Sequence, residues 1–279
     1  MDGQAQVGWR LWATVGVADV ARAGDAYAAL GFLPAWRGTL PETAARRWGW
    51  PASAGRAAAM LMPPGQGGGV RLVETTSPPA PPLATRGWAA MELASNDLDA
   101  MARRVSGNGF RLVHGPAPLG SNPAIRALQA TGPDGEAIYV ADLSHYAGVF
   151  DLIRPSRVLD GMFIAVLAAP DLPAARAFHV SALGAETRSE SRVPVPALNL
   201  ARGLPAGTRH LISTSQLPGG VAIEVDEAGP DLPDRATAAG EAPSGIALVT
   251  LARGVPRFDA PARCLTGAAG EAIEIADAA

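Results

Sequence analysis

The feature that most constrains this 279-residue chain is an internal repeat: its second half restates its first. The ending GEAIYVAD (135–142) returns as GEAIEIAD (270–277), so Tyr139 falls on Glu274. Near the N-terminus, Leu11 to Val17 is rich in small and branched residues and reads as a strand. Asp19 follows, then VARAGDAYAALG, whose helical spacing ends at Gly31. The aspartate can cap that helix and the glycine can terminate it. FLPAW, a helix-like PETAARRWG leading to Pro51, and strands at Ala57–Met62 and Val70–Thr75 complete the unit. The same order returns in MFIAVLAAPD, LPAARAFHVSALG and PALNLARGLP, which lays Asp171 on Asp19, Pro205 on Pro51 and His210 on Arg56. The strand AIEVDE answers RLVET in the same place, and matching their first glutamates puts Glu224 on Glu74.

A shorter unit closes each half, starting at Gly87 and at Gly245. The last unit has no helix pattern between Arg253 and Ala262, so it is a trimmed copy. Four modules result. Proline-rich stretches at 75–87 and 228–245 link modules within a half, and residues 144–161 link the halves. The expected class is α+β, with tandem βαβββ modules forming two cup-shaped mixed sheets. Residues 1–145 would supply an N-terminal cup from modules 1 and 2, and 158–279 a C-terminal cup from modules 3 and 4.

Composition removes several kinds of function. All 23 positive residues are arginine, so no lysine Schiff base or lysine general base is available. A net charge of −3 without a basic block argues against nucleic acid as a partner. No apolar run is long enough to span a bilayer, and MDGQAQVGWRLWATV lacks the pattern of a secretory signal. The single Cys264 rules out an internal disulfide. A cytoplasmic bacterial protein, monomer or homodimer, is expected, with a small molecule as its partner.

The strand-Asp-helix openings at Asp19, Asp97 and Asp171, the LG and NG helix ends, the RLVET and AIEVDE strands and the GPDGEAIYVAD ending, in that repeated order, resemble the vicinal oxygen chelate superfamily. That superfamily includes glyoxalase I, extradiol dioxygenases and bleomycin-resistance proteins. The resemblance implies that each module lends one side chain from its first strand and one from its last to a shared metal, usually a histidine and a glutamate. Here the matching positions of the first half are Trp12, Glu74, Trp88 and Tyr139. Those of the second half are Phe163 or Ile164, Glu224, Ile246 and Glu274, with both histidines missing. The resemblance therefore implies no catalytic metal in the first half. In the second, Glu224 and Glu274 could hold a divalent ion only weakly, and no cofactor is expected.

Strand alternation points Glu224 to the face opposite Val221, Ile223 and Val225. With Glu274 it is expected to form a carboxyl pair at the floor of one cavity, one member protonated and the other charged, against the plainer alternative of two solvated glutamates. His210 is a candidate general base or a strand-edge histidine. His179 is a candidate substrate contact or a helix-packing residue. Trp12, Trp88 and Tyr139 either box a planar ligand or fill the first cup. Arg56 either anchors an anionic group or lies on the surface. Two classes of function stand: an enzyme acting on a small oxygenated, ring-containing organic molecule by lyase, isomerase or ring-cleavage type chemistry without the usual metal, or a non-catalytic small-molecule binder.

Overall fold

The computed structural model describes residues 8–276, apart from 82, 108, 120, 121, 147 and 149. The first seven residues, part of the stretch read above as no secretory signal, lie outside the described residues. Module 1 contains β1 (Arg10–Val17), α1 (Val20–Leu30), β2 (Leu33–Thr39), α2 (Glu42–Arg47), β3 (Ala57–Met62) and β4 (Val70–Glu74). Module 2 contains β5 (Gly87–Ser95), α3 (Leu98–Val105), β6 (Arg111–Leu119), β7 (Asn122–Thr131) and β8 (Ala137–Asp142). Module 3 contains β9 (Gly161–Ala169), α4 (Leu172–Leu183), β10 (Glu186–Pro194), α5 (Pro196–Ala201), β11 (Arg209–Leu217) and β12 (Val221–Glu227). Module 4 keeps only β13 (Gly245–Ala252), β14 (Ala262–Thr266) and β15 (Ala272–Ala276).

Local chemistry sets the openings. Asp19 accepts from the Ala21 and Arg22 amides at 2.8 and 3.0 Å, Asp97 from Ala100 at 2.8 Å and Asp171 from Ala174 at 2.9 Å. Each satisfies amides that the first helical turn leaves unpaired. Gly31 and Gly184 end α1 and α4 at φ of 113° and 67°, left-handed conformations that favour glycine.

The modules combine across the halves. One sheet runs β14-β15-β13-β1-β4-β3-β2 and the other β10-β11-β12-β9-β5-β8-β7-β6. The first cup thus joins modules 1 and 4 through antiparallel β1 and β13, and the second joins modules 2 and 3 through β5 and β9. This corrects the division into a cup from residues 1–145 and a cup from 158–279: each sheet draws strands from both halves. Any first strand of a module can pair with another, and only the packing of the two sheets decides which pairing forms.

That packing uses the outer faces. Leu11, Ala13 and Val15 of β1 enter a core shared with Met91 and Leu93 of β5 and with α1, α3 and α4, while Trp12 faces a separate cluster inside the first cup. Inner strands are therefore buried on both faces, which is why β1 and β9 lack a clean polar alternation. Residues 1–145 expressed alone should aggregate or self-associate, because β1 and β5 would lose their partners. Co-expression with 146–279 should restore a soluble complex of one copy of each; size-exclusion chromatography showing a well-folded monomeric half would contradict this arrangement.

Candidate functional site

Two cross-strand pairs form the floor of each cup. In the first cup they are Thr14 with Arg71 and Thr250 with Glu274. In the second they are Val166 with Glu224 and Glu92 with Tyr139. Thr14, Glu92 and Val166 each precede their helix-capping aspartate, Asp19, Asp97 or Asp171, by five residues.

This register corrects the matching of AIEVDE to RLVET by their first glutamates. Val17 pairs with Glu74 and Ala169 with Glu227, so Glu74 corresponds to Glu227, and Arg71 corresponds to Glu224. Glu74 and Glu227 are both partly exposed and both sit beside arginines, Arg56 and Arg192. Ile246 lies in the core between the sheets, and its module's floor position is Thr250.

The floor of the first cup is filled by its own side chains, and an apolar cleft of about 580 Å³ lined by Trp36, Met60, Met62 and Phe258 lies above it, with neither Arg71 nor Glu274 in its lining. Arg71, wholly buried, gives Nε to Thr14 Oγ1 at 3.0 Å and Nη2 to Glu274 Oε2 at 2.9 Å, and it also bonds Thr250. Its guanidinium stacks 4.7 Å from the Trp48 ring centre. Glu274 also accepts from Trp48 Nε1 at 2.7 Å, Arg47 Nε at 3.1 Å and Thr250 Oγ1 at 2.9 Å. Burial alone would raise the Glu274 pKa, but Arg71 and these donors hold it below the ordinary range. Glu274 is thus a locked anion, sealed from solvent, in a different sheet from Glu224. The expected Glu224–Glu274 pair, whether as acid and base or as holders of a divalent ion, does not assemble.

The second cup is open. Its cavity has two lobes of about 310 and 350 Å³, and Glu92 and Glu224 line both. Burial first, and then the nearby Glu224 charge, pushes Glu92 up to about 8. Burial raises Glu224 to about 7, against lowering contributions from Thr214 and Asp226. Asp226, two residues along β12, is raised by burial and by Glu224. Tyr139 closes one lobe, its hydroxyl without a protein partner, and burial and the surrounding carboxyls keep it protonated. Tyr146, Phe150 and Phe163 wall the other lobe.

The remaining candidates are dispersed. Trp12 fills the first cup, and Trp88 gives its indole N–H to the Ala272 carbonyl at 2.7 Å within the layer between the sheets. With Tyr139 in the second cup, no aromatic box forms. Arg56 gives Nε to Glu241 at 3.0 Å and braces the first module rather than entering a cup. His210 lies 2.7 Å from Asn199 Oδ1, tying β11 to α5, and burial lowers its pKa. His179 is fully buried between the sheets, 3.0 Å from Glu271. Its counterpart in the repeat, Tyr27, is buried near Glu136, so the position serves packing between modules. His114 belongs to β6 and reaches one lobe of the cavity, and His145 is exposed.

Glu92 is the residue that reading the sequence missed. Trp88 lies near the start of β5, and the strand carries register shifts between Trp88 and Ala90 and between Glu92 and Leu93 that break a simple alternation. Counting back from Asp97, as from Asp19 and Asp171, reaches Glu92 directly.

Two curled mixed sheets made of repeated βαβββ modules, each with a floor built from first and last strands, define a protein of two cups. Residues 10–140, just under half of the chain, match the family model described as Glyoxalase/Bleomycin resistance protein/Dioxygenase superfamily. Over the whole chain the fold is similar to glyoxalase I from Zea mays, with a TM-score of 0.60, 15% identity and coverage of 96% of this chain and 92% of that one. It is also similar to a putative dioxygenase from Bacillus subtilis, with a TM-score of 0.58, 11% identity and coverage of 97% and 85%. At these identities the likeness concerns the fold. No curated protein matches in sequence.

The metal that this superfamily implies does not suit either floor. In the first cup a guanidinium lies among the four positions, and Glu274 is already saturated with donors. The second offers two carboxyls, a phenol and a valine, without an imidazole. Among the described residues no three His, Cys, Asp or Glu side chains cluster as metal ligands. Among the described residues, too, no helix is long and apolar enough to cross a membrane.

Proposed function

We propose that the second cup is the working site, and that the chain acts there on a small oxygenated, ring-containing organic molecule by acid–base chemistry of lyase or isomerase type. The observation that carries this reading is the pair of carboxyls, Glu92 and Glu224, that share one cavity and are raised into the neutral range. Burial and mutual repulsion leave one protonated while the other ionises, so a base and an acid face the same ligand at neutral pH. The ionised carboxyl would take a proton from carbon next to a carbonyl. The protonated one would give its own proton to the oxygen or to a neighbouring carbon, so the two carboxyls exchange protonation states in each turnover. Tyr139 stands beside them as a hydrogen-bond donor to the developing oxyanion.

A second reading, a non-catalytic binder, is favoured by the aromatic walls of the other lobe. Proton exchange in deuterated water separates the two. Cyclic ketones incubated with the protein and followed by proton NMR should lose the signal of hydrogens next to the carbonyl faster than in buffer. Saturable binding of such ketones with no acceleration of exchange would favour the binder.

A further inference from the structure

We infer that the second cup admits uncharged or cationic ring compounds and rejects anions. The inference rests on that cup being the working site, and it concerns what the site accepts rather than what it does. The protein has 23 arginines, yet among the described residues none lines either lobe. The formal charges that face the cavity come from Glu92 on β5 and Glu224 on β12, with His114 on β6 the other titratable group besides Tyr139 on β8 and Tyr146. Asp226 adds a third carboxyl behind Glu224.

The nearby guanidiniums stay outside both lobes. Arg202, whose charge reaches Asp226 and Tyr139, gives Nε and Nη1 to the carbonyls of Leu83 and Ala228 at 3.2 and 3.1 Å, while its buried Nη2 has no protein partner. Arg154 gives Nη1 to the Tyr146 carbonyl at 3.0 Å. An anion entering this cup would lose its hydration and face two carboxyls with no guanidinium in the lining to offset them, only neutral donors such as the Tyr139 hydroxyl and the His114 ring. An ammonium or hydroxyl would instead form charge-assisted hydrogen bonds with them. The rings of Tyr146, Phe150 and Phe163 suit both an aromatic body and a cation's approach to a ring face. The acceptors and walls therefore agree on one ligand class, an apolar ring system bearing a hydroxyl, carbonyl or amine and no carboxylate, phosphate or sulfate.

The test uses three probes of matched shape: 2-naphthylmethylamine, 2-naphthylmethanol and 2-naphthoate, titrated calorimetrically into the full-length protein. At about pH 8 the amine should bind at least about tenfold more tightly than the naphthoate, with the alcohol between them. The amine's advantage should grow from about pH 6 to 8.5 as Glu224 and then Glu92 ionise. Its binding heat should vary with the ionisation enthalpy of the buffer, because a bound cation expels protons from the carboxyls. Glu92→Gln and Glu224→Gln should each shrink the amine-to-naphthoate ratio, and the double variant should bring it below about threefold. Naphthoate binding as tightly as the amine would overturn the inference. So would a preference that survives both substitutions, or no binding of any probe at about 1 mM. Turnover plays no part in these readings, so a missing catalytic activity would remove the proposed chemistry and leave the ligand class standing.

Discussion

Replacing Arg71 by methionine should destabilise the protein by about 3–5 kcal/mol, the range typical of breaking a buried ion pair by removing one partner. Arg71 and Glu274 are 0% and 1% exposed, and each is the other's charge partner at 2.9 Å. Methionine keeps much of the side chain's bulk but leaves the Glu274 anion in the interior with only Arg47, Trp48 and Thr250 as donors. Glu274 would then take up a proton more readily, so the loss should be largest at alkaline pH and smaller near pH 5. Pairing Arg71→Met with Glu274→Leu removes both charges, and much of the stability should return. Chemical denaturation of the four proteins in this double-mutant cycle gives the coupling directly. A single variant as stable as wild type would mean that the cluster is not what holds the floor of the first cup.

The second large effect is expected at Glu92 and Glu224. With a substrate in hand, kcat/KM should follow a bell with limbs near 7 and 8, the values to which the two carboxyls are pushed. Glutamine at either position keeps the shape of the side chain and removes its proton chemistry. Each variant should lose about 100-fold or more in turnover, together with one limb of the profile. The same groups govern stability. Both folded pKa values lie above the ordinary value of 4.5, so their stabilising neutral forms are fully present below that value. Stability must then fall as pH rises through about 7 and 8. Glu92→Gln should relieve that alkaline loss, by on the order of 3 kcal/mol at pH 9. A variant that loses turnover while gaining alkaline stability points to a functional carboxyl held at structural expense. Unchanged turnover in both variants would end the acid–base reading.

The chain's sequence determined on its own whatever depends on neighbours a few residues apart. Asp19, Asp97 and Asp171 cap helices because a side chain reaches amides two or three positions on, and Gly31 and Gly184 end them because only a local conformation is at stake. The repeat exposed the βαβββ modules and the trimmed fourth copy, and strand alternation turned Glu224 toward a cup. Three decisions lay beyond such neighbours. The partners of β1 and β5 come from the opposite half of the chain, and nothing within those strands distinguishes β13 and β9 from other first strands. The equivalence of Arg71 with Glu224 is hidden because β4 and β12 follow turns of different length, which shifts one by two residues against an overlay on their glycines. The third decision was which carboxyls meet. Glu274 resembles Glu224 in its strand and in its neighbours, yet a guanidinium from a distant strand locks it as an anion, while Glu224 faces Glu92 across an open cavity. Charge, solvation and proton affinity are properties of the assembled surroundings, so the tertiary structure alone could decide which pair can do chemistry.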